Sequence, residues 1–180
     1  CWLPSPGLEL LSILKKDYGA KLPLVAEDLG IITSSVNELR QYFGFPGMKI
    51  LQFAFDGNLD NPYLPENIKD DNWIVYTGTH DNSTSQGWWR EMDQDRKEQI
   101  RERILDYENF TSWELIRIGM ETKAKLFVAP MQDLLNLDDS SRLNKPGTIG
   151  NNWSWRLSRN DFNIKEALKR YGDLAKENKR

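Results

Sequence analysis

The stretch Trp73-Ile74-Val75-Tyr76-Thr77-Gly78-Thr79-His80-Asp81-Asn82 decides the fold. Its first five residues are all aromatic or β-branched and show no polar alternation, which reads as a strand buried on both faces. Gly78 breaks the run, and His80-Asp81-Asn82 follow at its C-terminal end. Parallel α/β folds collect their functional groups at that end of the strands.

Working outward, Leu22-Pro23-Leu24-Val25-Ala26 and Lys49-Ile50-Leu51-Gln52-Phe53-Ala54-Phe55 precede it as strand candidates, and Leu126-Phe127-Val128-Ala129 follows, closed by Pro130. Helical patterns lie between. Ser5, as cap, and Pro6, in the first turn, open a run with Leu8, Leu11 and Leu14 that ends near Gly19. Thr33 or Ser35 caps a helix to Phe43 that stops at Gly44. Ser35-x-x-Glu38 and Thr111-x-x-Glu114 have capping-box spacing. Further helices are expected over 83–91, 95–107, 111–123 and 163–177, with polar loops over 56–72 and 138–152. Alternating buried strands and helices mean parallel β/α units, about four of them. A complete (β/α)8 barrel takes roughly 250 residues. The 180 residues therefore hold about half a barrel or a small open sheet, as one region spanning 1–180.

Composition narrows the chemistry. With 39% hydrophobic and 28% charged residues the chain is that of a folded domain. No stretch approaches the roughly 20 apolar residues of a membrane helix. The start, Cys1-Trp2-Leu3-Pro4, has no basic region or cleavage pattern, so no signal peptide is expected. A net charge of −3 argues against a phosphate-gripping nucleic-acid surface. One cysteine, Cys1, and one histidine, His80, leave no internal disulfide and no thiolate or multi-histidine metal site. That usage fits a reducing, cytoplasmic setting. Seven tryptophans suit a core, an interface or a sugar cleft.

Carboxylates remain. The strand ends deliver Glu27-Asp28, then Asp56 with Gln52 inside its strand, then His80-Asp81-Asn82, then Gln132-Asp133. Converging carboxylates without a phosphate loop point to general acid/base or glycosyl chemistry. Glycosidic cleavage needs one protonated carboxyl and others that stay ionised. Glu27, after an apolar run and beside Asp28, is the candidate acid, since burial beside other acids favours the protonated form. Asp81, flanked by His80, Asn82 and a threonine, is the candidate ionised partner. Plainer roles compete: an exposed strand-end pair for Glu27-Asp28, a turn-ordering bond for His80-Asp81, and loop capping for Asp56 and Asp60. Core or body packing is the default for Trp88-Trp89, Trp153 and Trp155. A solvated helix face is the default for Arg96-Lys97 and Arg101-Glu102-Arg103.

An ordered set of segments goes further. Ala26-Glu27-Asp28-Leu29-Gly30, Phe45-Pro46-Gly47-Met48-Lys49-Ile50-Leu51-Gln52-Phe53-Ala54-Phe55, Asn61-Pro62-Tyr63-Leu64-Pro65 and Tyr76-Thr77-Gly78-Thr79-His80-Asp81-Asn82 resemble the amylomaltase family. These are 4-α-glucanotransferases of glycoside hydrolase family 77. Ala129-Pro130-Met131-Gln132-Asp133-Leu134-Leu135, Arg142-Leu143-Asn144-Lys145-Pro146-Gly147-Thr148 and Asn152-Trp153-Ser154-Trp155-Arg156 continue the match in order.

The resemblance implies a (β/α)8 TIM barrel, with these strands as its fifth to eighth: the C-terminal half, lacking the N-terminal half. It implies Glu27 as general acid/base and Asp81 as the transition-state-stabilising carboxylate. His80 holds sugar hydroxyls with Asp81, Asn144 lines sugar sites, and Gln52 and Asp56 are weaker carry-overs. It implies a starch-type glucan or maltooligosaccharide partner, no cofactor, and no nucleic acid or membrane. The family's nucleophilic aspartate sits in an Arg-x-Asp-His segment with no counterpart here. Asp17, after Lys15-Lys16 in an expected helix, does not match it. Ser83 stands where the family often has an acid, and Leu143 where it usually has Met. Three readings follow: a transferase acting by double displacement, an inactive fragment of one, and another retaining enzyme of the amylase clan.

Overall fold

The computed structural model describes residues 3, 5–19, 21–158 and 163–180. Two helices come first, α1 (Gly7–Tyr18) and α2 (Ser34–Phe43), then strand β1 (Gly47–Ile50) and strand β2 (Trp73–Tyr76). Helices α3 (Ser85–Glu91), α4 (Gln94–Gln99) and α5 (Trp113–Met120) lead to strand β3 (Leu126–Val128). Helices α6 (Met131–Leu134) and α7 (Ile164–Glu177) complete the order.

The three strands form one parallel sheet in the order β1-β2-β3. Gly47 lies opposite Trp73 and Ile50 opposite Tyr76, while Ile74 lies opposite Leu126 and Tyr76 opposite Val128. β2 is central, and Val75 in it is fully buried. Leu115 and Ile116 of α5 and Phe127 of β3 join Val75 in the core. α7 is tied on by the Tyr171 hydroxyl, which donates to the Phe127 carbonyl at 3.1 Å. Arg180 adds donors to the Met120 and Ala124 carbonyls at 2.8 and 2.6 Å.

The expected strand over 22–26 does not form. Its one backbone bond to β1's chain runs from the Ala26 N–H to the Pro46 carbonyl at 2.9 Å. Pro46 and Pro23 have no N–H to return, so a ladder cannot propagate there. Leu24 and Val25 consequently stand 41% and 45% exposed instead of buried. The expected strand over 49–55 starts earlier and ends at Ile50, because Leu51–Phe53 tighten into a 3-10 turn. Gln52 therefore leaves a turn and not a strand. The expected helix over 95–107 stops at Gln99 and gives way to a 3-10 turn at Arg101–Arg103.

Several expected caps also move. Pro6, not Ser5, occupies the α1 cap position, and no side chain caps it. Thr33 begins α2 without a capping bond; its hydroxyl instead meets that of Ser35 at 3.0 Å. Gly44 ends α2 as expected, at φ 68°, a left-handed conformation cheap only for glycine. Neither capping box closes: Ser112 takes the α5 cap position, and Glu114 accepts instead from the Leu105 N–H at 3.0 Å. Thr84 is a true cap of α3, accepting from the Gly87 N–H at 3.1 Å.

α1 buries no residue fully. Leu8, Leu10 and Ile13 of α1, with Tyr42 of α2, stand exposed. Beside them Leu22, Leu24, Phe43, Ile74 and Leu126 line a groove of about 590 Å³. The molecule thus has one well-packed side around β2–β3 and one largely uncovered side around α1 and residues 22–26.

Candidate active site

The loop from Thr77 to Ser85 connects β2 to α3 and carries His80 and Asp81. It is pinned at both ends by one side chain. Asp133, on α6, is 1% exposed. Its Oδ2 accepts from the Thr77 hydroxyl at 2.5 Å and the Ser85 hydroxyl at 2.8 Å, and its Oδ1 accepts from the Ser85 N–H at 2.8 Å. Burial pushes the Asp133 carboxyl above its ordinary range, against the pull of the Thr77 and Ser85 bonds. The strand-end pair Gln132-Asp133, read from the sequence as part of the converging carboxylates, is thus structural. Gln132 donates to the Ser141 carbonyl at 3.1 Å.

Within the loop, Thr79 donates from its N–H and hydroxyl to Asn82 Oδ1 at 2.8 and 2.7 Å. This closes a short ring that turns His80 and Asp81 outward. The Asp81 N–H donates to the Thr79 hydroxyl at 3.3 Å. His80 Nε2 lies 3.2 Å from Asp81 Oδ1, with both side chains about half exposed. Asn144 reaches the same oxygen: its Nδ2 donates to Asp81 Oδ1 at 2.6 Å, and its backbone N–H donates to the His80 carbonyl at 3.1 Å. Three of the sequence candidates, His80, Asp81 and Asn144, therefore meet.

Gln52 joins them from the next strand end. It is buried, its Nε2 donates to the Ser83 carbonyl at 2.9 Å, and it lines with Asp81, Trp88, Arg96 and Arg142 a cleft of about 460 Å³. Asp56 does not line this cleft. It accepts from the Asn58 N–H at 3.0 Å in a turn, and the Asn61 side chain with that N–H holds its carboxyl below the ordinary range. This is the loop-capping role.

Glu27 and Asp28 part company. Asp28 points inward: its Oδ1 accepts from the Met48 N–H at 2.7 Å, and its Oδ2 lies 3.4 Å from Arg40 Nε. That second contact is an ion pair without hydrogen-bond geometry, since Arg40 Nε has no hydrogen-bond partner. Arg40 instead donates from Nη1 to the Phe45 carbonyl at 2.9 Å and lies over the Trp73 ring at 4.4 Å. Gly47 is required here, because a Cβ would meet Asp28 Oδ2 at 2.3 Å. Burial pushes the nearby Lys49 ammonium below its ordinary value, against the pull of Asp28. Glu27 is exposed and has no bonded partner among the described residues. The burial expected around it is absent.

The tryptophans divide. Trp88 and Trp89 pack as expected, Trp89 stacking on Phe110 at 4.3 Å. Trp153 does not pack into the body; it is 53% exposed, at φ 60°, with its ring 4.9 Å from that of His80. The basic residues expected on a solvated face are engaged: Arg96 bonds the Phe55 carbonyl at 2.8 Å, and Arg103 chelates Glu66 at 2.5 and 3.1 Å.

Sequence reasoning passed over Arg142. Its guanidinium bonds the Asp81 carbonyl at 2.7 Å, the Ser83 hydroxyl at 3.1 Å and the Asn144 carbonyl at 2.8 Å. The available signal was its spacing, two residues before Asn144. Chemically, the site offers an oriented carboxylate with an imidazole, an amide and a half-exposed indole around it, a set of groups suited to hydroxyl-rich ligands. Among the described residues no group of three or more His, Cys, Asp or Glu could hold a metal ion.

Comparison with known proteins follows the same lines. Residues 1–161 match the family model of glycoside hydrolase family 77, described as 4-alpha-glucanotransferase. The 4-alpha-glucanotransferase of Synechocystis sp. is 44% identical over 167 residues, covering 90% of this chain and 32% of that protein. The 4-alpha-glucanotransferase of Thermus thermophilus is 42% identical over 163 residues, covering 87% and 32%. This chain thus spans about a third of the length of these relatives. The structure of the amylomaltase from Streptococcus agalactiae in complex with acarbose superposes with a TM-score of 0.87 at 34% identity, covering 98% of this chain and 36% of that one. The amylomaltase from Corynebacterium glutamicum, at 16% identity, TM-score 0.61, and 84% and 28% coverage, shares the fold. The alternating parallel strands and helices resemble part of the amylomaltase barrel.

Proposed function

Because the chain belongs to the 4-alpha-glucanotransferase family, glycoside hydrolase family 77, we propose that it is a C-terminal piece of a longer barrel enzyme that transfers α-1,4-glucan segments between maltooligosaccharides. Residues 1–180 form one region of that barrel. Residues 22–26 and β1 to β3 take the places of its fifth to eighth strands. The enzyme works in the cytoplasm on maltodextrin or starch-type glucans, by a retaining double displacement.

In this reading Glu27 protonates the leaving glycosidic oxygen and later deprotonates the acceptor. Asp81 stabilises the oxocarbenium-like transition state, and His80 and Asn144 fix it and the sugar hydroxyls around it. Gln52 lines the same cleft, and Asp56 keeps only a loop role. A retaining mechanism needs an attacking carboxyl about 5–5.5 Å from the acid. The upstream part of the enzyme supplies that attacker. Two carboxyls and an attacker do this chemistry without a cofactor. Transfer, as opposed to hydrolysis, needs the covalent intermediate to outlive water until an acceptor sugar is placed.

The observation that carries the reading is the Asn144–Asp81–His80 set at the C-terminal end of β2, with one carboxylate oxygen shared by an amide at 2.6 Å and an imidazole at 3.2 Å. For this chain by itself the same observations favour inactivity. The Glu27 segment has no second strand beside it, and the chain covers about a third of its relatives.

The test is product analysis on maltotriose. Glucose plus a ladder of longer oligosaccharides from the longer enzyme supports transfer. Simple shortening would make it a hydrolase of the amylase clan instead. The 180-residue chain alone should leave maltotriose unchanged. Glu27→Gln in the longer enzyme should remove most turnover while substrate still binds, because it deletes the proton and little shape. Wild-type turnover in that variant sinks the acid/base role.

A further inference from the structure

We infer that Arg142 is a positioning residue for Asp81, acting as the clamp that holds two loops in one catalytic geometry. The inference rests on the transferase reading above and names a residue which that reading does not use. Arg142 and Asp81 are 61 residues apart in sequence and belong to the loops that follow α6 and β2. The Arg142 guanidinium donates to three acceptors at once: the Asp81 carbonyl at 2.7 Å, the Ser83 hydroxyl at 3.1 Å and the Asn144 carbonyl at 2.8 Å. Two of these belong to the loop after β2 and one to the loop after α6.

The acceptors sit on either side of the functional contacts. Asn144 can place its amide 2.6 Å from Asp81 Oδ1 only while the two backbones keep their present spacing. Among the described residues the Asn144 N–H to His80 carbonyl bond, at 3.1 Å, is the one backbone–backbone bond between the loops. Asp133 fixes the ends of the 77–85 loop, through Thr77 and Ser85, and among the described residues makes no side-chain hydrogen bond between them. Arg142 holds the middle, where Asp81 lies. All three acceptors are neutral, and among the described residues Arg142 makes no ion pair, so its bonds are spent on backbone and hydroxyl geometry. A planar fork of donors can meet three separated acceptors; a lysine ammonium at the end of a flexible stem cannot hold the same three directions.

The experiment has two arms. In the 180-residue chain, amide hydrogen exchange of Asn144 and Ser85 is compared among wild type, Arg142→Lys and Arg142→Ala. Asn144 should exchange about tenfold faster or more in both variants, while Ser85, held by Asp133, stays unchanged. Equal loss at both amides, or no change at Asn144, overturns the clamp. In the longer enzyme, Arg142→Lys should lower kcat on maltotriose about 100-fold with KM within about threefold, since misplacing a catalytic group by about 1 Å costs that much. Added guanidinium ion should partly restore Arg142→Ala, and methylammonium should not. A variant with wild-type kcat, or one whose loss lies wholly in KM, rejects the inference. Asp81→Asn, run in parallel, separates the two ideas. If it keeps full turnover the transferase reading of Asp81 fails; if it is inactive while Arg142→Lys is normal, only the clamp fails.

Discussion

Two segments of this molecule look alike in sequence and end differently. Residues 22–30 and residues 73–82 each run from an apolar stretch into an acidic dipeptide or His-Asp pair. The second has a strand on both sides, β1 and β3, and its loop is fastened by Asp133 below and Arg142 above. The first has, among the described residues, a single backbone–backbone bond, to the chain entering β1, and is fastened through the Asp28 carboxylate. Asp81 is oriented by Arg142 and Asn144 from another part of the chain, whereas Glu27 is exposed. A carboxylate at a strand end thus acquires direction from the neighbouring strand's loop, and its own sequence supplies only the position.

Four experiments sharpen or break that contrast. The largest effect is expected from Asp133→Ala. It strips the partners from Thr77 and Ser85 and should cost about 3 kcal/mol or more, read as a drop in the denaturant midpoint. A loss as small as that of a surface substitution would mean the 77–85 loop is held some other way. Next comes Arg40→Met, which leaves the nearly buried Asp28 carboxylate without its cation and should cost about 2–3 kcal/mol. If stability is unchanged, Asp28 does not need its counter-ion and the 22–30 segment is anchored through Met48 alone.

The third experiment is a pH series of thermal melts. The folded-state value of Asp133 lies above its unfolded value, so between the two the folded chain keeps a proton that the unfolded chain has released. Stability contributed by that proton is present below the unfolded value and is lost as pH rises through the folded one, by up to about 1.4 kcal/mol per pH unit inside the window. Asp133→Asn should flatten this slope. The smallest effect is expected from Trp153→Ala. Trp153 lies at the surface and should change stability by no more than about 0.5 kcal/mol. The His80 imidazole resonances, unique in a chain with one histidine, should shift markedly. Unmoved resonances would place Trp153 away from His80 in solution.

The central strand was legible because Trp73-Ile74-Val75-Tyr76 is apolar throughout and sits between partners, so local pattern and tertiary burial agree. Leu22-Pro23-Leu24-Val25-Ala26 carries the same apolar signal, but Pro23 and Pro46 remove donors that a ladder needs, one of them outside the segment itself. Helix ends were less legible than helices. Ser5 and Thr111 have the right chemistry for caps, yet those caps fall at Pro6 and Ser112, set by where the preceding chain enters, while α2 starts from Thr33, one of its two candidates. Of the candidate site, the convergence of His80, Asp81, Asn144 and Gln52 was readable from motif and strand-end position. Asp56 and Asp133 show the limit of that reasoning: one caps a turn and the other is buried under Thr77 and Ser85. Arg142 offered only its place two residues before Asn144, because its role lies in three carbonyl and hydroxyl oxygens that no side-chain pattern displays.

The span between Arg142 and Asp81 also bears on the order of events when the chain folds. The bonds between these loops close a stretch of about 60 residues, which includes β3 and helices α3 to α6. Closing so long a loop costs chain entropy that these bonds cannot offset until the intervening elements are in place. The β1–β2 pair and the Trp88–Trp89–Phe110 cluster, built from nearer neighbours, should therefore appear first in a refolding trace. The His80 signal should mature last, so that these two loops mark the completion of folding and not its nucleus.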